Sequence, residues 1–248
     1  MKDAISISNL RFSYPGLPEP VFENLNLVIK KGSRFGIFGP NGAGKTTLIG
    51  CITGLIKYQS GSILLNGLEV VKNLQHIKKQ FGYVPQDFSL YPELTPMENL
   101  MFFASWAGLN KSLSKKRALE VLEILGLSGV KNKQVKKFSG GMKRRVNLAI
   151  GVIHQPEILF LDEPTVGVDI HSRQAIISYL KKLNSEGTTL VYTSHQLSEA
   201  EELCDDVALF DEGKIRVHDS LPNLLKQHRH DGLEGLFLEL TGKKFRDS

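Results

Sequence analysis

A run of nine residues, Gly39-Pro40-Asn41-Gly42-Ala43-Gly44-Lys45-Thr46-Thr47, carries the clearest chemistry in this chain. It has a glycine, four free positions, then Gly-Lys-Ser/Thr, the spacing of a phosphate-binding loop. Gly39, Gly42 and Gly44 permit backbone conformations that a Cβ forbids, so successive amide N–H groups can converge on a phosphate. A helix beginning at this point adds about half a positive charge at its N-terminus. Lys45 is placed to reach the β- and γ-phosphates as a point charge, and the Thr46 hydroxyl to ligate Mg²⁺. The structural alternative is a glycine-rich turn that merely feeds a helix. The flanks decide against it: Arg34-Phe35-Gly36-Ile37-Phe38 reads as a strand, and Leu48, Ile49, Ile52 and Leu55 recur at helical spacing. A nucleoside triphosphate is the expected ligand.

Other candidate groups stand at the ends of predicted strands. Glu157-Ile158-Leu159-Phe160-Leu161-Asp162-Glu163 is a buried strand ending in two carboxylates, suited to a metal-ligating Asp162 and a base or water-orienting Glu163. Leu190-Val191-Tyr192-Thr193-Ser194-His195 is another, ending in histidine. With strands ending at Gly39, Asp162 and His195, a single catalytic edge is the simplest arrangement. Phe81 to Asp87 is a strand ending at Pro85 and Gln86; the glutamine is either solvated or turned to a metal-bound water or γ-phosphate. Tyr14 closes a strand from Ile5, where its face can stack on a base or pack on the core. Phe138-Ser139-Gly140-Gly141-Met142 opens a further helix; Ser139 can cap it, and the glycines expose its first amides as a second anion site.

The elements that must carry these groups are legible in outline. Leu25, Leu27 and Ile29 alternate as a strand, Ser60 to Gly67 reads as a strand closed by an Asn-Gly turn, and Pro15 to Pro20 is a turn. Thr95-Pro96-Met97-Glu98 is a helix start with proline at the first position and glutamate at the third, opening helices to Leu127. Phe88 to Trp106 is rich in aromatics and is either core or a groove for a partner helix. Val207 to Phe210, the turn Glu212-Gly213, a strand at Ile215 and short helices to Gly242 complete the chain. His154, His171, His218, His228 and His230 show no ligand spacing.

Composition is that of an ordinary globular protein: 248 residues, 41% hydrophobic, 23% charged, with a net charge of +5. No apolar run approaches the roughly 20 residues needed to span a bilayer, and the start lacks the apolar core of a signal peptide. Cys51 and Cys204 are far apart and expected to be buried reduced thiols, which suits a cytosolic protein. The basic residues fall in small groups that read as solvated helix faces, and no nucleic-acid partner is expected.

With these stretches in place, nearly the whole chain resembles the ATP-binding subunit of an ABC transporter. Gly39 to Thr47 is similar to its Walker A string, Phe138 to Met142 to its signature, and Ile158 to Glu163 to its Walker B string, in family order. Tyr14, Gln86, Asp169 and His195 match single-position features. The signature sets the family apart from kinases and GTPases. The resemblance implies that Tyr14 stacks on adenine, that Thr46 and Gln86 complete a Mg²⁺ shell with Asp162 acting through water, and that Glu163 polarises the attacking water. It implies that His195 contacts the γ-phosphate, and that Ser139, Gly140 and Gly141 serve the ATP of a second subunit, with Asp169 at the loop crossing that interface. Phe138 and Met142 depart from the commoner leucine and glutamine; Met142 cannot donate a glutamine's hydrogen bonds. The Ser-Gly-Gly-Met-Lys-Arg-Arg form and the tail Leu236 to Gly242 resemble drug, antibiotic or polysaccharide exporters.

The expectation is an α/β P-loop fold with a mostly parallel core sheet, an N-terminal antiparallel β subdomain and a helical subdomain, in one ATPase domain over 1–248. Residues 1–86 and 156–220 would form the β-rich core, 87–155 the helical lobe with the signature, and 221–248 a helical tail. By resemblance, the chain hydrolyses ATP with Mg²⁺, pairs with a second ATPase subunit, and drives a separate transmembrane permease from the cytoplasmic face of the membrane. The alternative is a soluble ABC-type ATPase acting on ribosomes or DNA.

Overall fold

The computed structural model describes residues 2–17, 19–228 and 232–242. Pro18 of the expected turn and His230 therefore lie outside the described residues. The first strands form where apolar side chains alternate. In β1 (Asp3–Phe12) Ile5, Ile7 and Leu10 are buried, and in β2 (Phe22–Lys30) Leu25, Leu27 and Ile29 are. β3 (Arg34–Phe38) leads through the glycine-rich loop into α1 (Lys45–Ile52). β4 (Ser60–Leu65) turns at Asn66 and Gly67, both at positive φ, into β5 (Leu68–Glu69). α2 (Val70–Ile77) and β6 (Phe81–Val84) follow.

The next four α-helices start where the sequence offers oxygen caps. At α3 (Pro96–Trp106) the Glu98 amide donates to Thr95 Oγ1 at 3.2 Å, while the Thr95 amide donates to Glu98 Oε2 at 2.8 Å. Gly108, at φ 82°, separates it from α4 (Lys111–Ile124), which Asn110 caps. Ser139 caps α5 (Gly140–Val152), β7 (Ile158–Asp162) follows, and Asp169 caps α6 (Ile170–Ser185). The remainder is β8 (Thr189–Ser194), α7 (Leu197–Leu203), β9 (Asp206–Asp211), β10 (Lys214–Ser220), α8 (Leu221–His228) and α9 (Leu233–Thr241).

These elements divide into two compact units. The first is drawn from Met1–Lys78 and Gly187–Ser248. It holds an antiparallel sheet in the order β2-β1-β4-β5, and a set in which β3 lies parallel between β8 and β9, with β10 antiparallel on β9. β3 and β8 are buried along nearly their whole length, as expected of central parallel strands. The second unit, Lys79–Glu186, pairs β6 with β7 in parallel and gathers α3, α4, α5 and α6. The expected parallel core pairings and antiparallel N-terminal sheet are both present.

Both cysteines are buried free thiols, as the sequence implied. Burial pushes the Cys51 thiol up to about 12, out of the range in which a reactive thiolate forms.

Candidate functional site

In the first unit, β3 and β8 run side by side with Phe38 opposite Ser194. Gly39 and His195, the residues immediately after each, therefore emerge together at the C-terminal ends of adjacent parallel strands. That is where ligands bind in open α/β sheets. Gly39 is glycine for a steric reason: a Cβ there would lie 2.2 Å from the Phe210 carbonyl oxygen of β9. Gly44, at φ 102°, is the N-cap of α1 and offers no side chain to its first amides. Between them the loop folds on itself, the Ala43 amide donating to the Pro40 carbonyl at 3.2 Å.

Lys45 is only 6% exposed. Its ammonium donates to the carbonyl oxygens of Gly39 at 2.7 Å and Pro40 at 3.1 Å. Thr46 is exposed, with Asn41 and Gly42, on the open side of the loop. Tyr14 lies just past the end of β1, its ring edge-on to Phe12 at 4.8 Å and its hydroxyl 3.0 Å from Thr47 Oγ1. The contact to the loop, together with 40% exposure, distinguishes it from a core tyrosine. His195 is half-buried in a braced segment: the Gln196 amide donates to Ser194 Oγ at 2.9 Å, and Tyr192 donates to Glu199 Oε2 at 2.5 Å.

In the second unit, β6 and β7 pair with Val84 opposite Leu161, so Gln86 lies just past the end of one strand while Asp162 closes the other and Glu163 follows it. Gln86 is exposed; Asp162 and Glu163 are 2% and 4% exposed. Burial first, then the charge and hydrogen bond of Asp162, push the Tyr83 phenol well above its ordinary range, so this tyrosine stays a donor to the carboxylate. Glu163 adopts φ 50°, the left-handed region that costs a side-chain-bearing residue about 1 kcal/mol or more. A buried acid in that conformation, at a strand end, is the mark of a site that over-determines its backbone.

Ser139 caps α5 by accepting the Met142 amide at 3.3 Å, and Ser139 and Gly140 are exposed. Gly141 is buried: a Cβ there would lie 2.4 Å from Ser172 Oγ and 2.8 Å from Asp169 Oδ2. Glycine thus lets the start of α5 approach the start of α6 closely. Asp169 accepts the Ser172 amide at 2.9 Å and the Ser172 hydroxyl at 2.7 Å. The Ser172 amide, then its hydroxyl, hold the Asp169 carboxyl below the usual range. Phe138 is buried as the packing residue ahead of the cap, and Met142 is half-buried.

Sequence reasoning missed Arg144, Asn147 and Tyr83. The guanidinium of Arg144, 6% exposed, donates to the carbonyl oxygens of Gln86 at 2.5 Å and Pro85 at 3.4 Å, and lies 4.8 Å from the Phe88 ring centre. Asn147 donates to the Pro85 carbonyl at 3.2 Å and accepts the Ser89 amide at 3.0 Å. An arginine and an asparagine one turn apart on an otherwise buried helix face were the available signal. Among the histidines, His154 is held neutral by burial with its ring nitrogen 3.0 Å from the Phe81 carbonyl, and His218 packs edge-on against Phe35.

Residues 22–166, more than half of the chain, match the family model described as ABC transporter. The chain is 45% identical over 195 residues to the linearmycin resistance ATP-binding protein of Bacillus subtilis (strain 168). That match covers 79% of this chain and 63% of the relative, so the chain spans somewhat under two thirds of that protein's length. Among solved structures, an ATP-binding subunit of an ABC transporter superposes with a TM-score of 0.87 at 28% identity, over 96% of this chain and 99% of that one. A dimeric ATP-binding cassette in a post-hydrolysis state with ADP and Pi superposes at 0.79, again at 28% identity, over 87% and 98%. With its phosphate loop, its capped signature helix and its strand-end carboxylates in place, this chain belongs to the ABC transporter family as one of its ATPase domains.

Proposed function

We propose that this chain is the ATP-hydrolysing subunit of an exporter, working at the cytoplasmic face of a membrane with a second ATPase subunit and a separate transmembrane permease. The observation that carries the reading is Ser139-Gly140-Gly141 at the open start of α5, with Gly141 seated against Asp169. A P-loop enzyme that completed its site alone would need no second anion-binding helix start. Phosphoryl transfer through a loose transition state spreads charge over several oxygens, so donors supplied by a partner subunit have a purpose.

Within this reading the loop amides of Gly39 to Thr47 and Lys45 bind the phosphates, and Tyr14 stacks on the base. Glu163 orients and polarises the attacking water, and His195 fixes the γ-phosphate. The donors fit Mg²⁺: an exposed Thr46 hydroxyl, an exposed Gln86 amide and the Asp162 carboxylate are hard oxygen groups, and Mg²⁺ is held by few protein ligands alongside phosphate and water. When bound, it neutralises charge on the transferring phosphate. Among the described residues no helix is long and apolar enough to cross a membrane, so transport would need a partner that spans it. The exposed aromatics of Phe88 to Trp106 are the proposed docking face, and the relative named for resistance to linearmycin supports export over import.

The test is affinity purification of the tagged chain from gently solubilised native membranes, with the co-purifying proteins identified. A polytopic protein in stoichiometric amount supports the proposal. Ribosomal or DNA-repair proteins, with no membrane protein, overturn it in favour of a soluble ATPase.

A further inference from the structure

The segment between β6 and α3 takes backbone bonds from Val135 and Lys136 near its end, at Leu94 and Pro92, whereas its start, around Pro85 and Gln86, is held by side chains. Arg144 binds the carbonyls of Pro85 and Gln86, and Asn147 takes the Pro85 carbonyl and the Ser89 amide. Further along, Asn99 accepts the Tyr91 amide at 2.8 Å and donates to the Tyr91 carbonyl at 3.0 Å. Arg144 and Asn147 belong to α5, the helix whose first turn is the signature. Asn99 belongs to α3, which carries the exposed aromatics.

Arg144 is costly where it stands. Burial pulls its guanidinium below the ordinary arginine range, and the charges of Asp87 and Glu163 only partly offset this. Its Nε is buried without a hydrogen-bond partner. Its other donor to the neighbouring backbone is long, 3.5 Å to the Val166 carbonyl in the turn after Glu163. A desolvated charge committed mainly to two carbonyls of one short segment is poorly explained by packing alone, since an apolar side chain of similar size would avoid the desolvation.

We infer that Arg144, seconded by Asn147, is the positioning residue that sets Gln86, so that the signature helix and the metal-binding glutamine move as one piece. Arg144 acts through the backbone from which the Gln86 amide projects, and the charge of Glu163 acts on the same guanidinium. Lysine cannot replace it, because one guanidinium nitrogen serves both carbonyls while the other reaches Val166, and a single ammonium has no second nitrogen to hold that orientation. The inference rests on the ATPase reading above and on Gln86 as a Mg²⁺ ligand.

The experiment titrates Mg²⁺ into the full chain holding a fluorescent ATP analogue, and reads the Mg²⁺ concentration that half-saturates the signal, together with kcat and KM. For Arg144→Lys the half-saturating Mg²⁺ is expected to rise on the order of 10-fold, the usual effect of removing a support behind a metal ligand. Affinity for the analogue without Mg²⁺ should be unchanged, and kcat should fall while KM holds. Asn147→Ala should shift Mg²⁺ in the same direction by less, and it decides the matter if Arg144→Lys does not fold. Arg145→Lys, which alters the neighbouring arginine bonded to the Leu125 carbonyl at 2.9 Å, should leave the Mg²⁺ titration where it was. A wild-type Mg²⁺ titration in both Arg144→Lys and Asn147→Ala overturns the inference alone. A wild-type chain that binds no analogue, with or without Mg²⁺, overturns the ATPase reading and the inference with it.

Discussion

The ammonium of Lys45 donates to the carbonyl oxygen of Gly39 at 2.7 Å, so the cation best placed to meet a phosphate is held by its own loop. Nucleotide binding must exchange those carbonyls for phosphate oxygens, and the loop is pre-shaped around a positive charge before any ligand arrives. Lys45→Ala should therefore do two separable things. ATP affinity should fall by well over 10-fold. The ligand-free chain should also lose roughly 1.5–3 kcal/mol, the usual worth of hydrogen bonds to a charged group. Nucleotide titration and denaturant unfolding, run on the same variant, check both.

Glu163 combines a proposed chemical role with a strained backbone. Glu163→Gln keeps the left-handed conformation and most of the shape, so nucleotide binding should persist while turnover falls by on the order of 10²–10⁴-fold. Glu163→Gly should lose turnover as well, yet part of the cost of removing the buried side chain should be returned, because φ 50° carries no penalty for glycine. Near-normal turnover in either variant removes Glu163 from its central place.

Two glycines of one loop should respond differently to the same change. Gly39→Ala would set a Cβ 2.2 Å from the Phe210 carbonyl, forcing backbone to move. Gly42→Ala meets nothing within 4 Å and carries only the strain of φ 80°, roughly 1 kcal/mol. Thermal unfolding should rank Gly39→Ala as the more damaging, with nucleotide binding impaired in both.

The aromatic face yields a prediction about location rather than chemistry. Tyr91 packs edge-on against Phe102 at 5.0 Å and is 47% exposed, and Leu94 is half-buried beside it in sequence. Tyr91→Asp or Leu94→Asp should reduce recovery of the chain with membranes while ATP binding stays within about twofold, since neither residue belongs to the nucleotide site. Unchanged recovery of both variants counts against the docking face.

Acid stability should depend on caps. Asp169 is held below its ordinary value by the Ser172 amide, Glu98 by the Thr95 amide, and Asp205 chiefly by its hydrogen bonds from Arg34. Each has a folded pKa below its unfolded one, so each stabilises fully above about pH 4–5 and loses that contribution as pH falls through the folded value. Unfolding midpoints should drop between about pH 5 and pH 3. Asp169→Asn, which still caps but does not titrate, should show a smaller drop than the wild type.

The groups proposed to do chemistry stand out in the sequence because their spacing is rigid. A phosphate loop needs its glycines and lysine at fixed offsets, and a strand ending in Asp162-Glu163 is short, apolar and abruptly charged. The capping box at Thr95 and the cap at Ser139 were legible for the same reason: a cap is a local bond between near neighbours. α2, α6 and α7 are not legible in the same way: Asp169 and Ser172 form a cap of the same kind, but a cap marks a helix only where a periodic apolar run stands behind it. What the sequence could not yield was long-range: the Tyr14 hydroxyl reaching Thr47, Gly141 seated against Ser172, and Arg144 gripping a loop 58 residues earlier. Those depend on which helix lies over which strand end, and spacing along the chain carries no record of that.

Trp106 is the only tryptophan in the 248 residues, and it stands 82% exposed at the end of α3, 6.3 Å from the Phe102 ring centre. The chain thus contains its own spectroscopic label on the face proposed for docking. In the isolated subunit its emission should be red-shifted and readily quenched by iodide. Association that covers the aromatic face should move it to the blue and shield it. One intrinsic signal can therefore report engagement with a partner without any added dye.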